Sequence, residues 1–153
     1  SKIGSDPKFE SVSVMKVIDQ VISYLRLRIS DKVKITVVGE DFYTLNLCVP
    51  LFEWVIENLT KNAVDAMDGK GEFSITVEKI KDKLIIDLKD SGKGISKKNF
   101  KKVFKPGFTS KKRGWGLGLS LVRRIIEDYH YGKIFVKSSE IGNGTVFRIE
   151  MPI

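Results

Sequence analysis

The stretch FSITVEKIKDKLIIDLKDSGKG, residues 73–94, carries the strongest fold signal in the chain. Apolar and polar side chains alternate over residues 73–77 and again over residues 84–88, and Lys81 and Asp82 supply a turn between the two runs. This alternation predicts two half-buried strands joined as an antiparallel hairpin. The second strand runs directly into residues 90–94, DSGKG, which form either a simple glycine-rich turn or a loop that approaches a ligand.

A long amphipathic helix is predicted before this hairpin. Pro50 stands at a position that suits the first turn of a helix, and Gly69 and Gly71 end the helical pattern. Between these points the apolar residues recur at helical spacing and form one continuous face. They are Phe52, Val55, Ile56, Leu59, Ala63, Ala66 and Met67.

The remaining periodic segments complete a fold in which strands outnumber helices and come in pairs. We predict helices over residues 15–29 and 117–129, strands over 34–38 and 43–47, and a closing hairpin of strands 134–138 and 145–151. Paired strands favour an antiparallel sheet, and amphipathic helices need a sheet face to cover. The sequence therefore predicts an α+β fold. Its form is a two-layer α/β sandwich, with a mixed, mainly antiparallel sheet covered on one face by about three helices.

Length and composition indicate one soluble globular domain. The chain has 153 residues, of which 42% are hydrophobic and 30% charged. It has no apolar run near the ~20 residues that span a bilayer, and its start lacks the apolar core of a signal peptide. Cys48, the single cysteine, cannot form an internal disulfide. We expect a cytoplasmic domain, cut from a longer protein that could be membrane-anchored upstream.

The charge of the chain predicts a polyanionic partner. A formal charge of +8 would suit nucleic acid, an anionic membrane or nucleotide phosphates. The basic residues are scattered except in one irregular region, where they cluster at 97–98, 101–102 and 111–113. This local concentration favours nucleotide phosphates. We expect no nucleic-acid partner and no membrane contact by this chain.

Polar side chains share one stripe of the central helix. Asn58, Asn62 and Asp65 are spaced i, i+4 and i+7, which brings them to the border of the apolar face. This is either ordinary surface polarity or a site for a hard cation such as Mg²⁺, which takes one or two protein oxygens and completes its shell with phosphates and water. Two asparagines inside a helix cost stability unless they are used, which favours the second interpretation.

The region between residues 90 and 118 lacks regular periodicity apart from a short helix predicted over 97–103. Irregular segments of this length are usually functional. Residues 114–119, GWGLGL, lead into a helix and are typical of a phosphate-binding turn. A Rossmann loop is disfavoured because no strand precedes these glycines, and a Walker loop because no Gly-Lys-Ser/Thr follows them. Residues 104–108, FKPGF, are either anchors of a mobile loop or loop core.

Taken in order, residues 57–63 (ENLTKNA), 90–94, 104–108 and 114–119 resemble the N box, the first glycine box, the F box and the second glycine box of sensor histidine kinases. Gly144-Thr145 is similar to the final Gly-Thr element of the same family. The resemblance implies the Bergerat fold, shared with type II topoisomerases, and an ATP-binding catalytic domain. It also implies a flexible ATP lid over residues 104–116.

The resemblance assigns roles to single residues. Asn62 is implied to bind Mg²⁺ and, with Asn58, to be catalytic. Asp90 is implied to accept from the adenine amino group, with Gly92 and Gly94 below the purine and Thr145 supporting the adenine end. Trp115 and Asp65 depart from the family pattern. The full implied set for the ATP cofactor is Asn58, Asn62, Asp90, Gly92, Gly94, Ile95, Lys111, Lys112, Arg113, Gly114, Gly116, Leu117, Gly118 and Thr145.

The implied reaction is transfer of the ATP γ-phosphate by positioning and charge neutralisation. In hydrolysing relatives a glutamate stands at the place of Asn58, so fast hydrolysis is not expected. Glu57 is better placed to pair with Lys61 at i+4. His130, the sole histidine, fits a helix-terminal aromatic cluster better than a phosphoacceptor.

The acceptor histidine is therefore expected on an upstream dimerisation domain. Residues 1–10 resemble the tail of that segment, and residues 11–153 the catalytic domain. A homodimeric native protein and a response regulator receiver domain are the implied partners. Two alternatives stay open: a nucleotide-gated interaction module, and an anti-sigma-type serine kinase of the same fold.

Overall fold

The structure is a computed structural model that describes residues 6–108 and 118–153. The strands are β1 (Glu10–Ser13), β2 (Val33–Val38), β3 (Thr44–Leu47), β4 (Gly71–Ile80), β5 (Lys83–Asp90), β6 (Lys133–Glu140) and β7 (Gly144–Pro152). The helices are α1 (Val14–Arg26), α2 (Val49–Ala66) and α3 (Gly118–Arg124), which continues into a π-helical turn at Ile125–Tyr129. Two short 3-10 turns lie at Lys97–Asn99 and Lys102–Phe104.

The main sheet confirms the predicted α+β sandwich. Its five strands lie in the order β2-β4-β5-β7-β6. β2 pairs with β4 in parallel, and the other three pairings are antiparallel. The predicted hairpin lies inside the sheet, since β5 is its middle strand and β4 is next to it. β4 and β5 pair from Phe73 opposite Asp90 to Ile80 opposite Lys83.

The two faces of the sheet have different chemistry. On the inner face, Phe73, Ile75 and Val77 of β4 are buried in one core with the apolar sides of α1, α2 and α3. On the outer face, Arg148 of β7 donates two hydrogen bonds of 2.8 Å to the carboxylate of Asp87 on β5. The outer face therefore carries a charged pair, while the helices cover the other face.

The strand β1 is not among the strands predicted from the sequence. Glu10–Ser13 pairs antiparallel with β3, with Glu10 opposite Leu47, and the two form a separate small sheet. The side chain of Ser13 then caps α1 by accepting from the backbone N–H of Lys16. A strand of four residues carries too little periodicity to be recognised without its partner.

Two other segments differ in detail from the sequence predictions. The helix expected over 97–103 is two separate 3-10 turns. The helix expected over 117–129 begins at Gly118 within the described residues and widens to π geometry over Ile125–Tyr129. None of the helices in the described part of the chain is long and apolar enough to cross a membrane.

Candidate functional site

A cleft of about 330 Å³ lies between the C-terminal half of α2, the loop that follows β5, and the start of β7. Its walls are mostly apolar, and several polar residues also line it. The polar lining residues are Asn62, Asp65, Asp90, Lys93, Ser96, Asn99 and Thr145. The apolar lining includes Leu59, Ala63, Phe73, Leu88, Ile95, Val103, Phe108, Leu119, Ile141 and Phe147.

Asp90 is the last residue of β5 and a buried carboxylate in the wall of this cleft. Burial raises the pKa of Asp90, and hydrogen bonds from the backbone of Gly92 and of Thr145 partly offset this effect. The bond from the Gly92 N–H is 2.8 Å long. A carboxylate at this position is a hydrogen-bond acceptor in the wall of a mostly apolar cleft.

Thr145 lies directly opposite Asp90 in the pairing of β5 with β7. It is buried, and its hydroxyl lies 2.7 Å from the hydroxyl of Ser139 on β6. The pairing of two central strands thus places a hydroxyl beside a carboxylate at one end of the cleft.

The glycines of the 90–94 loop have a packing function that the structure makes explicit. A Cβ at Gly92 would lie 2.6 Å from the carbonyl oxygen of Ala66 at the end of α2. Gly94 adopts a φ of +81°, and a Cβ there would collide with the carbonyl of Glu140. Gly94 and Ile95 line the cleft, whereas Gly92 is not among its lining residues and packs behind it.

The polar stripe of α2 borders the cleft, with Asn58 and Asn62 half-buried and Asp65 exposed. Asn62 and Asp65 line it, whereas Asn58, one turn earlier, is not among the lining residues. Asn58 donates from Nδ2 to the carbonyl of Trp54 at 3.3 Å. A Cβ at Gly118 would lie 3.5 Å from Asn58 Oδ1, so this oxygen faces the start of α3. Glu57 instead forms the predicted pair with Lys61, at 2.7 Å.

Most of the predicted phosphate-binding residues, Lys111, Lys112, Arg113, Gly114, Gly116 and Leu117, lie outside the described residues, as does Trp115. Of the 104–108 segment, Phe104 is buried and packs edge to face against Phe147 at 6.0 Å between centroids. Phe108 lines the cleft. This segment therefore fixes one aromatic in the core and places the other in the wall of the cleft.

His130 is buried in an aromatic cluster, as the sequence analysis favoured. Its Nε2 accepts from the backbone N–H of Cys48 at 3.1 Å, while Nδ1 lies 2.9 Å from the carbonyl oxygen of Ile125. The rings of Phe9 and Phe52 lie edge to face with its imidazole. Burial lowers the pKa of His130, and its hydrogen bond to Ile125 partly offsets this. A buried neutral imidazole is structural here.

The structure thus brings Asn62, Asp90, Gly94, Ile95 and Thr145 to one cleft. Sequence reasoning missed Ser139, whose hydroxyl contacts two of the cleft's wall segments. It also missed the lining residues Lys93, Ser96 and Asn99. Nothing in their local sequence separates them from ordinary loop and strand polarity.

Comparison with known proteins agrees with this geometry. The model of the family described as histidine kinase-, DNA gyrase B-, and HSP90-like ATPase matches residues 49–153. Sensor histidine kinase ZraS of Salmonella typhimurium is 45% identical over 100 residues, which make up 65% of this chain and 21% of that protein. The chain therefore spans about a fifth of the length of this curated relative.

Solved structures give the same result. The nucleotide-free catalytic domain of histidine kinase ThkA superposes with a TM-score of 0.83 at 32% identity, covering 95% of each chain. ThkA in complex with the response regulator protein TrrA superposes at 0.81 and 29% identity, covering 94% of this chain and 41% of that one. The chain belongs to the histidine kinase-, DNA gyrase B- and HSP90-like ATPase family, and within it is an ATP-binding catalytic domain of the histidine kinase type.

Proposed function

We propose that this domain binds ATP with Mg²⁺ and transfers the γ-phosphate to a histidine on an upstream dimerisation domain of the same protein. The observation that carries the proposal is the cleft itself. One end pairs a buried carboxylate with a hydroxyl, and the adjoining helix presents amide side chains. The first arrangement suits an adenine edge, and the second suits the metal-bound phosphates.

The base end is supported by donor and acceptor chemistry. The 6-amino group of adenine donates, and Asp90 offers an acceptor that is buried beside an apolar wall. Leu59, Phe73 and Leu88 provide apolar surface for a flat ring. Guanine carries a carbonyl oxygen at that position and would place it against the carboxylate. The base end thus favours adenine over guanine.

The α2 stripe suits Mg²⁺ by the chemistry of its donors. Amide oxygens are hard ligands, and Mg²⁺ bound with a nucleotide needs only one or two of them. Among the described residues no group of three or more His, Cys, Asp or Glu side chains could hold a metal. Asn62, which lines the cleft, is the proposed ligand, and Asn58 is a second amide near the start of α3. When bound, the ion would supply charge neutralisation at the phosphates.

The residues near the stripe favour transfer of the γ-phosphate to a group outside this domain, and they disfavour hydrolysis of ATP. Asn58 cannot take a proton from water, and Glu57 is engaged with Lys61 on the surface. The segment at the rim of the cleft is strongly basic, and its exposed lysines would attract the polyphosphate. These lysines are Lys97, Lys98, Lys101, Lys102 and Lys105.

The partners follow from the proposed reaction. The acceptor is proposed to be a histidine on a dimerisation domain that precedes residues 11–153, with residues 1–10 as the connecting tail and the native protein a homodimer. A response regulator receiver domain is proposed to take the phosphate onward, since ThkA has been solved with such a partner. Cytoplasmic placement is proposed with this reaction, because ATP and receiver domains are found there.

The first test is calorimetric titration of the chain with a non-hydrolysable ATP analogue, with and without Mg²⁺. We expect binding in the micromolar range that tightens with the metal. The second step supplies γ-labelled ATP together with a separately purified dimerisation domain carrying a histidine. The label is expected on that histidine, recognised by a phosphoryl bond that is labile in acid.

The outcomes separate the proposal from its alternatives. Binding without transfer to any supplied domain would favour a nucleotide-gated interaction module. An acid-stable phosphoserine would identify a serine kinase of the anti-sigma type. Absence of binding by a folded chain would overturn the ATP site itself. If Asn62→Ala is titrated as well, Asn46→Ala is its matched control, because Asn46 is an exposed asparagine on β3, in the small sheet away from the cleft.

A further inference from the structure

We infer that Ser139 is a positioning residue for adenine recognition, acting through the hydroxyl of Thr145. The inference rests on the proposed function and deepens it. The Ser139 hydroxyl makes three close contacts: with the backbone N–H of Ile95 at 2.7 Å, the carbonyl of Gly144 at 3.0 Å, and the Thr145 hydroxyl at 2.7 Å. One side chain thus joins the loop after β5 to the start of β7.

The single proton of the Ser139 hydroxyl limits the hydrogen-bond arrangements that Ser139 and Thr145 can adopt. A serine hydroxyl has one proton to donate and two lone pairs. The Ile95 N–H takes one lone pair. Ser139 then either donates to Gly144 and accepts from Thr145, or donates to Thr145. In the first state the Thr145 proton is used within the protein, and in the second it is available to a ligand.

A ligand with an acceptor beside Thr145 selects the second state. Adenine offers that pattern, since its amino group donates and the adjacent ring nitrogen N1 accepts. Asp90 and Thr145 stand opposite each other across paired strands and provide the complementary acceptor and donor. Ser139 is the group that holds Thr145 Oγ1 and leaves its proton directed into the cleft.

Ser139 also fixes the shape of this end of the cleft. Its bond to Ile95 is reinforced by a second link between the same two segments, from the Gly142 N–H to the carbonyl of Lys93 at 2.8 Å. Gly94 passes between them in close contact with the Glu140 carbonyl. Loss of the serine hydroxyl leaves the Ile95 N–H without this acceptor, which is costly for a partly buried donor.

The test compares ATP with 1-deaza-ATP, in which ring nitrogen N1 is replaced by C–H. Affinities are measured by calorimetry for the wild type, Ser139→Ala, Ser139→Thr, Thr145→Val and the double variant Ser139→Ala/Thr145→Val. The wild type should prefer ATP by about 5-fold to 10-fold, the value of one hydrogen bond. Ser139→Ala should lower that preference toward the level of Thr145→Val, and Ser139→Thr should restore it.

The double variant decides whether Ser139 acts through Thr145. In the Thr145→Val background, Ser139→Ala should leave the ratio of the two affinities unchanged. A purely structural role would weaken both nucleotides equally and leave the ratio at its wild-type value in Ser139→Ala, which would overturn the inference. Failure of the wild type to bind ATP would instead overturn the proposed function. Circular dichroism checks that each variant is folded.

Discussion

The two ends of the cleft are built from different kinds of structure. The base end is made by strand pairing, which sets buried Asp90 opposite buried Thr145 and surrounds both with hydrogen bonds. The proposed metal end is made by helical spacing, which places half-buried Asn58 and Asn62 one turn apart along α2. The base end therefore depends on contacts between distant segments, whereas the metal end depends on one helix.

This difference has a consequence for recognition. Buried groups whose hydrogen-bond partners are already in place reorganise little when a ligand binds. They discriminate strongly between ligands, because an unmatched ligand leaves them without a hydrogen bond. Half-buried amides on a helix surface adapt to a hydrated ion and its phosphates. We expect the base end to set which nucleotide binds, and the metal end to set how the phosphates are held.

The largest expected effect is at the base end. Asp90→Asn replaces one acceptor oxygen with a donor facing the adenine amino group, and should weaken ATP by roughly 100-fold, or about 2.8 kcal/mol. Asp87→Asn is the matched control, because Asp87 lies on the same strand but on the outer face with Arg148. Calorimetry at fixed Mg²⁺ measures both. An equal loss in the two variants would refute the assignment of the base end.

The metal end should show a smaller loss that depends on the ion. Asn62→Ala is expected to weaken ATP by on the order of 10-fold when Mg²⁺ is present, or about 1.4 kcal/mol, and to change metal-free binding little. The reason is that the amide oxygen is a proposed ligand of the ion and not of the base. Titrations with Mg²⁺ and with excess chelator measure the contrast. A loss that is the same in both conditions would remove Asn62 from the metal site.

His130 holds the start of α2, the helix whose second half carries the proposed metal end. His130→Leu removes its bond to the Cys48 N–H and should cost about 1–3 kcal/mol of unfolding free energy near pH 8. The folded pKa of His130 lies below the ordinary 6.5, so the unfolded chain binds the proton first and wild-type stability is lost as pH falls below that value.

The His130→Leu variant has no histidine left to protonate, since His130 is the sole histidine of the chain. The stability difference between wild type and His130→Leu should therefore narrow on acidification below the ordinary pKa. Urea denaturation at several pH values measures the two curves. A difference that stays constant with pH would show that the buried imidazole does not titrate differently in the folded state.

The smallest effect is expected at Glu57, the carboxylate beside the metal end. Glu57→Gln removes an exposed i, i+4 pair with Lys61 and should cost about 0.3–0.5 kcal/mol. Phosphotransfer should change by less than about 2-fold, because the side chain is paired with Lys61 and Glu57 does not line the cleft. Thermal unfolding and a transfer assay give the two readings. A large loss of transfer with little loss of stability would make Glu57 catalytic after all.

The sequence predicted much of the fold because its elements are strongly periodic. The hairpin of β4 and β5 and the long helix α2 appear where the pattern placed them, and the surface pair Glu57–Lys61 follows from helical spacing alone. The strand β1 was missed, and α3 widens into a π-helical turn that no spacing indicated. For β1 the deciding contact is its pairing with β3, more than 30 residues along the chain.

The candidate site divides in the same way. Helix spacing was enough to select Asn58 and Asn62, and the glycine-rich loop after a strand was enough to select Asp90. Thr145 was selected only by its resemblance to the family's Gly-Thr element. The tertiary structure alone decided that Gly92 packs on the end of α2 and that Ser139 bridges Ile95 and Thr145. Such contacts join residues that are 6 to 44 positions apart, so they depend on sheet register and close packing, which no local pattern encodes.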